Sequence, residues 1–499
     1  MPLKFVNSST GEQIGSTLLA RRILSASTRA IDPSFADRVD GLNNWRKGYQ
    51  PIFRELTKLE FYQERNCLEI ASIGLEMLSK SITDESGRNL NQIVDAGWAG
   101  DAQVETFIVS GTGESKNISI PGITTLTDAA QIWAHEKIAE PGIVNSFKFL
   151  EAHKKLPIQM DLLIALAGAA EYAPTKHWLE VGGTVAVVAR PGEKRWLDLI
   201  QHARSTGGTL LIPILKSRVP EGSISLSDEV IAQNAGLDIC EDAEALAGWI
   251  AALATARKER IVLGQYSYAP GAKHIVVQAV QDALAAAVCK RLAANRVALA
   301  WLATPTDSTA VPAEVLQDSL DRYRSRSGAT KIRDFLLAMR RTQGEFFESR
   351  FGEKLALIDP TSSVQGSSYA LAKRSQRWRA YLANSQGVKV SYVVAPPART
   401  WSVLSFKTLK ATYRGAPKFG LKPFTVRDAT VATTALLIRD LHGPMPQRGS
   451  TNLHTESAIH GGLWRLIYRP AQVWTRATLI GWPALLVADY SHDNRKTKG

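Results

Sequence analysis

The sequence predicts an α/β protein, a doubly wound parallel sheet preceded by a mainly helical N-terminal region. From Leu156 onward, short apolar runs rich in β-branched residues alternate with helical segments: DLLIAL, TVAVV, TLLIPIL, RIVL, RVALAWL and VKVSYVV. Parallel strands are covered on both faces, so they read as continuous apolar runs rather than alternating ones. Before that point the period is helical instead. Pro51 opens IFRELTKLEFYQERNCLEIASIGLEMLSKSI, with apolar residues recurring at helical spacing over many turns. The chain has 499 residues, 45% hydrophobic and 21% charged. That is a globular composition with enough length for two or three cores. The expected units are a helical region to residue 155, a sheet domain over 156–445 with an insertion at about 312–352, and a Trp-rich C-terminal extension over 446–499.

The elements follow in order. Ser16 to Ser25 reads as a basic helix, and the long helical run after Pro51 breaks at TDESGRNLNQ. VETFIVSGTGES reads as a strand entering a loop, where Gly111-Thr112-Gly113 is better taken as a turn than as a phosphate cradle. TDAAQIWAHEKIAEPG is a capped helix stopped by Pro-Gly. The six strands then alternate with APTKHWLEVGG, EKRWLDLIQHARSTGG, KHIVVQAVQDALAAAVCKRLAA and VRDATVATTALLIRDLHG as helices. A polar helical stretch after Pro312 interrupts them, and KLALIDPTSSVQG leads into SYALAKRSQRWRAY.

Composition excludes several classes. The net charge is +13, yet the sequence holds no zinc-finger spacing, no RNA-binding signature and no long basic block. Nucleic acid is therefore not an expected partner. Cys67, Cys240 and Cys289 lie far apart and form neither a disulfide framework nor a zinc spacing. A reducing, cytoplasmic location is expected, with organelle import left open by a Ser-, Thr- and Arg-rich start. No apolar run reaches transmembrane length.

The chemistry centres on Tyr369 and Lys373. Four residues apart on a helix, they share one face. A phenol titrates near pH 10, and a neighbouring cation favours the phenolate and lowers that value. Such a pair passes a proton to or from a carbonyl oxygen, an effect typically worth roughly 10²- to 10⁴-fold. The motif follows several βα units and leads through Gly387 into VKVSYVVAP and the loop Ala395-Pro396-Pro397-Ala398-Arg399-Thr400. This order resembles the short-chain dehydrogenase/reductase superfamily over roughly Leu156 to Gly443, most specifically from Tyr369 to Thr400. Pro397 stands where the family usually has Gly.

The resemblance implies a Rossmann-type fold and an NAD(P)H-dependent oxidoreductase acting on a small or lipid-like carbonyl or alcohol. It implies Tyr369 as general acid/base, Lys373 as its electrostatic partner and ribose contact, and Thr304 or Thr306 orienting the substrate oxygen. Ser362 and Ser363 compete with those threonines for that role. Gly168, Ala169 and Ala170 stand where the family's Gly-rich turn meets the pyrophosphate, although the three-glycine pattern is absent. Pro396 and Thr400 belong to the loop over the nicotinamide. Arg190 ends the second strand, where an Arg suits a 2′-phosphate, so NADP(H) is preferred over NAD(H). Asn234-Ala235-Gly236 copies a family motif but follows a poor strand and is taken as a decoy. His274 and Asp282 are read as structural residues of a long helix. Two other readings stand beside this one. The first is a non-catalytic Rossmann-type scaffold or nucleotide sensor. The second is a peripheral membrane protein held by the Trp-rich C-terminal segment. Homo-oligomerisation is left open.

Overall fold

Seven strands form the central sheet, and six of them are the apolar runs named above. The computed structural model describes residues 2–153, 156–220, 226–350, 352–361, 365–444 and 453–496. In chain order the strands are β1 (Lys4–Phe5), β2 (Ile82–Thr83), β3 (Val104–Ser110), β4 (Asp161–Leu166), β5 (Thr184–Val188), β6 (Thr209–Leu215), β7 (Arg260–Gln265), β8 (Val297–Ala303), β9 (Thr309–Pro312), β10 (Gly344–Glu348), β11 (Lys354–Ile358) and β12 (Lys389–Val394). The main sheet runs β12-β8-β7-β4-β5-β6-β3. All neighbours pair in parallel except β3, which closes one edge antiparallel to β6 over seven residues. β10, β11 and β9 form a separate antiparallel sheet, with β9 ending at the start of the interruption after Pro312, β10 within it and β11 following it, and β1 pairs with β2.

The continuous apolar runs arise because both faces are covered. Along β4, Leu162, Ile164 and Leu166 enter one core, while Leu163 and Ala165 enter the core on the opposite side. Helices Ala243–Ala256, Lys273–Arg291 and Ser367–Ser385 contribute to the first core, together with the N-terminal helices Ser16–Thr28, Pro33–Gly41, Trp45–Tyr62, Glu64–Lys80 and Leu90–Ala99. Helices Thr175–Glu180 and Glu193–Arg204 line the second. Helix Val426–His442 contributes to the second core and to a third, shared with the helices Leu126–His135 and Gly142–Ala152.

The predicted boundary at residue 155 does not divide the packing. β3 comes from before it and supplies an edge of the main sheet, and the N-terminal helices share a core with β4, β7 and β8. Gly111 and Gly113 lie against the backbone of the turn at Ser205–Thr206, with their amides donating to Gly208 and Thr206 carbonyls. The C-terminal region also differs from an appended extension. Ile459, Leu463, Trp464 and Leu466 are buried, and the Trp464 indole donates to the Pro305 carbonyl at 3.1 Å. Only then does the helix Pro470–Lys496 begin, with Pro483 inside it.

A buried ion cluster joins the N-terminal helices to the sheet. On helix Ser367–Ser385, Arg374 and Arg377 face inward, with Arg374 fully buried. Arg374 meets Glu60 at 2.9 Å and Asp307 at 3.3 Å, and Arg377 meets Asp307 at 2.6 Å. Thr57 and the Ser308 carbonyl accept further guanidinium hydrogens, and the Trp378 indole donates to Glu60 at 2.7 Å. The Trp378 ring packs so closely on the preceding layer that a Cβ at Gly74 would stand 2.4 Å from it. Two positive and two negative groups balance. Removing one partner from such a site typically costs about 3–5 kcal/mol, because the other charge is left buried and alone. Glu60→Leu is therefore expected to lose about that much in urea unfolding, and Glu60→Leu with Arg374→Met to recover most of it. A loss in the single variant no larger than that of an exposed ion pair would show that the cluster does not hold the layers together.

Candidate functional site

Doubly wound sheets place ligands outside the carboxyl ends of their strands, where the winding reverses. In this sheet the reversal lies between β4 and β7. Four segments meet there: the turn after β4 at 167–174, the loops after β7 and β8, and the loop after β12 at 395–400.

Tyr369 and Lys373 occupy the start of helix Ser367–Ser385, one turn apart, at this end of the sheet. The Lys373 ammonium lies 5.7 Å from the centre of the Tyr369 ring. It donates to the Leu302 carbonyl at 3.0 Å and to Gln376 Oε1 at 3.1 Å. Thr304 follows β8, and its hydroxyl lies within hydrogen-bonding reach of the Tyr369 phenol, favouring the phenolate. Thr306 is next to it, with the two hydroxyl oxygens 2.7 Å apart. The structure thus brings Thr304, Thr306, Tyr369 and Lys373 around one cavity. Ser362 and Ser363 lie outside the described residues.

The electrostatics of this corner differ from the expected pairing. Burial pushes the Tyr369 phenol up, outweighing the help from Thr304. Burial also pushes Lys373 down to about 8, against the attraction of the Asp307 carboxylate. Desolvation disfavours both charged forms, so a neutral phenol is the resting state. His274 stacks on Tyr369 with ring centres 5.4 Å apart, and its Nδ1 accepts from the Ala269 amide. Its Nε2 is buried without a partner. Asp282 pairs with Arg379 through two contacts, at 2.7 and 2.9 Å, and does not support Lys373.

Sequence reasoning missed the roof of the cavity. Tyr49, Gln50 and Phe53 from helix Trp45–Tyr62 line it, with Asp307, Thr361 and Gln365. The Tyr49 hydroxyl donates to the Gln365 carbonyl and seals that side. The free volume among these side chains is about 20 Å³, room for a single water.

The remaining predicted contacts lie in the turn after β4 and around it. Ala167 is left-handed (φ 61°). The Gly168 amide donates to the Ala165 and Val188 carbonyls, and the Ala170 amide to Ala167, so these donors already have partners within the protein. A Cβ at Gly168 would meet Ala165 and the Thr175 hydroxyl at about 3 Å, so this glycine serves the packing of the turn on its strand. The following helix, Thr175–Glu180, has six residues. Tyr172 leaves this turn and donates to the Pro396 carbonyl at 2.5 Å. Adjacent strands lie about 4.8 Å apart, so with β7 and β8 between them the ends of β4 and β12 are roughly 14 Å apart. The turn and the Tyr172 side chain therefore span the crevice. Glu171 accepts from the Trp401 amide at 3.0 Å and adds a second tie. Burial, with Tyr413, Glu171 and Tyr369 nearby, keeps the Tyr172 phenol far above its ordinary value. Thr400 caps helix Trp401–Ser405 through its hydroxyl. Arg190 is exposed, and its carbonyl accepts from Arg195. Asn234 ends a helix beside β6, not a strand.

A dinucleotide needs free turn amides and several hundred Å³ of space. Here the Gly168 and Ala170 amides are taken by the chain's own carbonyls, and the free volume beside Tyr369 is small. The described residues contain no cluster of His, Cys, Asp or Glu able to hold a metal. Compared with family models and with curated proteins, the sequence matches none.

The His274 environment carries a signed pH effect. Burial, then the Lys373 charge, lowers its pKa to about 3 from an ordinary 6.5. Between those values the unfolded chain binds a proton that the fold refuses. Stability from this group is complete above pH 6.5 and falls as the pH drops toward 3. A nitrogen-15 NMR titration is expected to show a neutral His274 ring at pH 5, and an imidazolium midpoint near 6.5 would contradict this environment.

Proposed function

We propose that this chain is a Rossmann-type scaffold of the short-chain dehydrogenase pattern that works without a dinucleotide. The architecture behind the reading is the parallel order β6-β5-β4-β7-β8-β12, numerically 3-2-1-4-5-6 from the first strand of the series, which is the order of the doubly wound dinucleotide-binding fold. The observation that supports it is the Tyr172 hydroxyl donating to the Pro396 carbonyl, which ties the turn after β4 to the loop after β12. The Gly168 and Ala170 amides bond within the protein, and little room is left beside Tyr369. Tyr369, Lys373 and Thr304 then act as packing and hydrogen-bonding residues of a buried corner.

The test is nucleotide binding by the full chain. A ligand at 100 times its dissociation constant stabilises a fold by about 2.7 kcal/mol, so binding would raise the melting temperature measurably. Neither NADPH nor NADH at millimolar concentration is expected to raise it. A saturable rise with either one overturns the reading.

One observation favours a second reading, an NAD(P)H-dependent carbonyl reductase or alcohol dehydrogenase: Thr304, Tyr369 and Lys373 do converge at one cavity. That reading requires the Tyr172 tie to open. Tyr172→Ala with Glu171→Ala removes both ties. Under the scaffold reading this variant still neither binds NADPH nor reduces a panel of carbonyls. NADPH-dependent reduction that disappears on adding Tyr369→Phe would establish the second reading instead.

A further inference from the structure

A second feature lies outside the crevice. Three segments adjoin one another through the C-terminal helix. Helix Lys407–Gly415 packs on helix Pro470–Lys496, with the Thr412 and Thr478 hydroxyls 2.6 Å apart and the backbones close enough that a Cβ at Gly481 would stand 1.9 Å from the Ala411 carbonyl. The C-terminal helix also reaches the insertion: Arg476 donates to the Leu337 carbonyl at 2.7 Å and Gln472 to Ala338 at 2.8 Å. Helix Trp401–Ser405 continues directly into Lys407–Gly415.

The exposed side of this unit is apolar where a water-facing surface would be polar. Val473, Ala477 and Gly481, spaced four apart, form the buried stripe of the C-terminal helix. Leu479 (60% exposed) and Ile480 (48%) therefore face outward. Trp401 (73%) and Phe406 (64%) do the same on the neighbouring segment, and Phe335 (83%) and Leu336 (76%) on the insertion helix. Isolated exposed apolar residues need no explanation, but a run across three adjoining elements marks an interaction surface.

Charge identifies the partner. From Arg399 to Arg427 the chain has seven Lys or Arg and no Asp or Glu, and from Ser457 to Ala488 it has three Arg and no acid. Lys407 and Lys418 are exposed. Aromatic and aliphatic side chains interleaved with basic ones, the one acid of the three segments, Asp334, being buried against Arg326, complement the boundary of an anionic bilayer, where rings enter the headgroup layer and ammonium groups meet lipid phosphates. Among the described residues no helix is long and apolar enough to cross a membrane, so the mode of contact is lying on the surface.

We propose that the face formed by segments 328–337, 401–418 and 470–482 docks on anionic phospholipid membranes. This rests on neither reading of the crevice. The test is flotation of the full chain with vesicles of phosphatidylcholine alone and of phosphatidylcholine with phosphatidylserine. Co-flotation with the serine-lipid vesicles is expected, with release at high salt because surface charges are screened. Trp401→Ser with Phe406→Ser, and separately Lys407→Glu with Lys418→Glu, should each cut the bound fraction at least several-fold while the melting temperature stays unchanged. Failure to float with the anionic vesicles overturns the proposal, as does variant binding equal to wild type. A dimer in sedimentation that Trp401→Ser with Phe406→Ser dissolves, without any vesicle binding, would assign the face to a second copy and overturn it too.

Discussion

The cluster of Arg374 and Arg377 with Glu60 and Asp307 is the constraint on which the rest of the structure depends. Four charged groups are buried there, so each is tolerable only while its partners stay in place. Three separate pieces of chain supply them: the N-terminal helix with Glu60, the loop after β8 with Asp307, and the Tyr369 helix with both arginines. The cluster thereby fixes the register between Thr304 at the end of β8 and Tyr369 on its helix. It also fixes Tyr49 and Phe53 above them, because those residues share a helix with Glu60. The N-terminal region is a wall of the central layer, not an appendage to it.

The same burial governs the chemistry of the corner. Lys373 is pushed down to about 8, His274 down to about 3, and Tyr369 up. Each shift favours the neutral form, as expected where desolvation outweighs nearby charge. A proton relay at neutral pH works with groups poised near that pH, and a phenol raised by burial is poised away from it. Tyr172 and Glu171 close the opposite side by tying the turn after β4 to the chain after β12. The second tie ends at the Trp401 amide, while the Trp401 ring is exposed. The interior corner is thus closed on itself, and the unsatisfied surface chemistry lies outside it.

The parallel strands were legible in the sequence because burial on both faces leaves an unbroken apolar run, and β4 through β8 and β12 each have one. The spacing of Tyr369 and Lys373 was legible because helical geometry puts residues four apart on one face. What the sequence concealed is long-range. VETFIVS reads as a strand, but nothing local tells that it pairs antiparallel with TLLIPIL a hundred residues later. GGLWRLI reads as part of an extension, although Trp464 is fixed by a carbonyl next to Thr304. Arg374 and Arg377 read as the polar side of an amphipathic helix, since arginines are mostly exposed. Only their carboxylate partners, one of them more than three hundred residues away, make burial tolerable. Tyr172 lies in the turn whose three-glycine pattern is absent, and the sequence holds no sign of what its hydroxyl meets. Its acceptor, the Pro396 carbonyl, has no side-chain signature to read.

The closed crevice is the central claim, and hydrogen–deuterium exchange on the full chain measures it at the two segments involved. Exchange of the turn at 167–173 and of the loop at 395–401 should be identical with and without saturating NADPH. Protection of both segments on adding the nucleotide would contradict the account, because it would mean that the tie between Tyr172 and Pro396 gives way to a ligand.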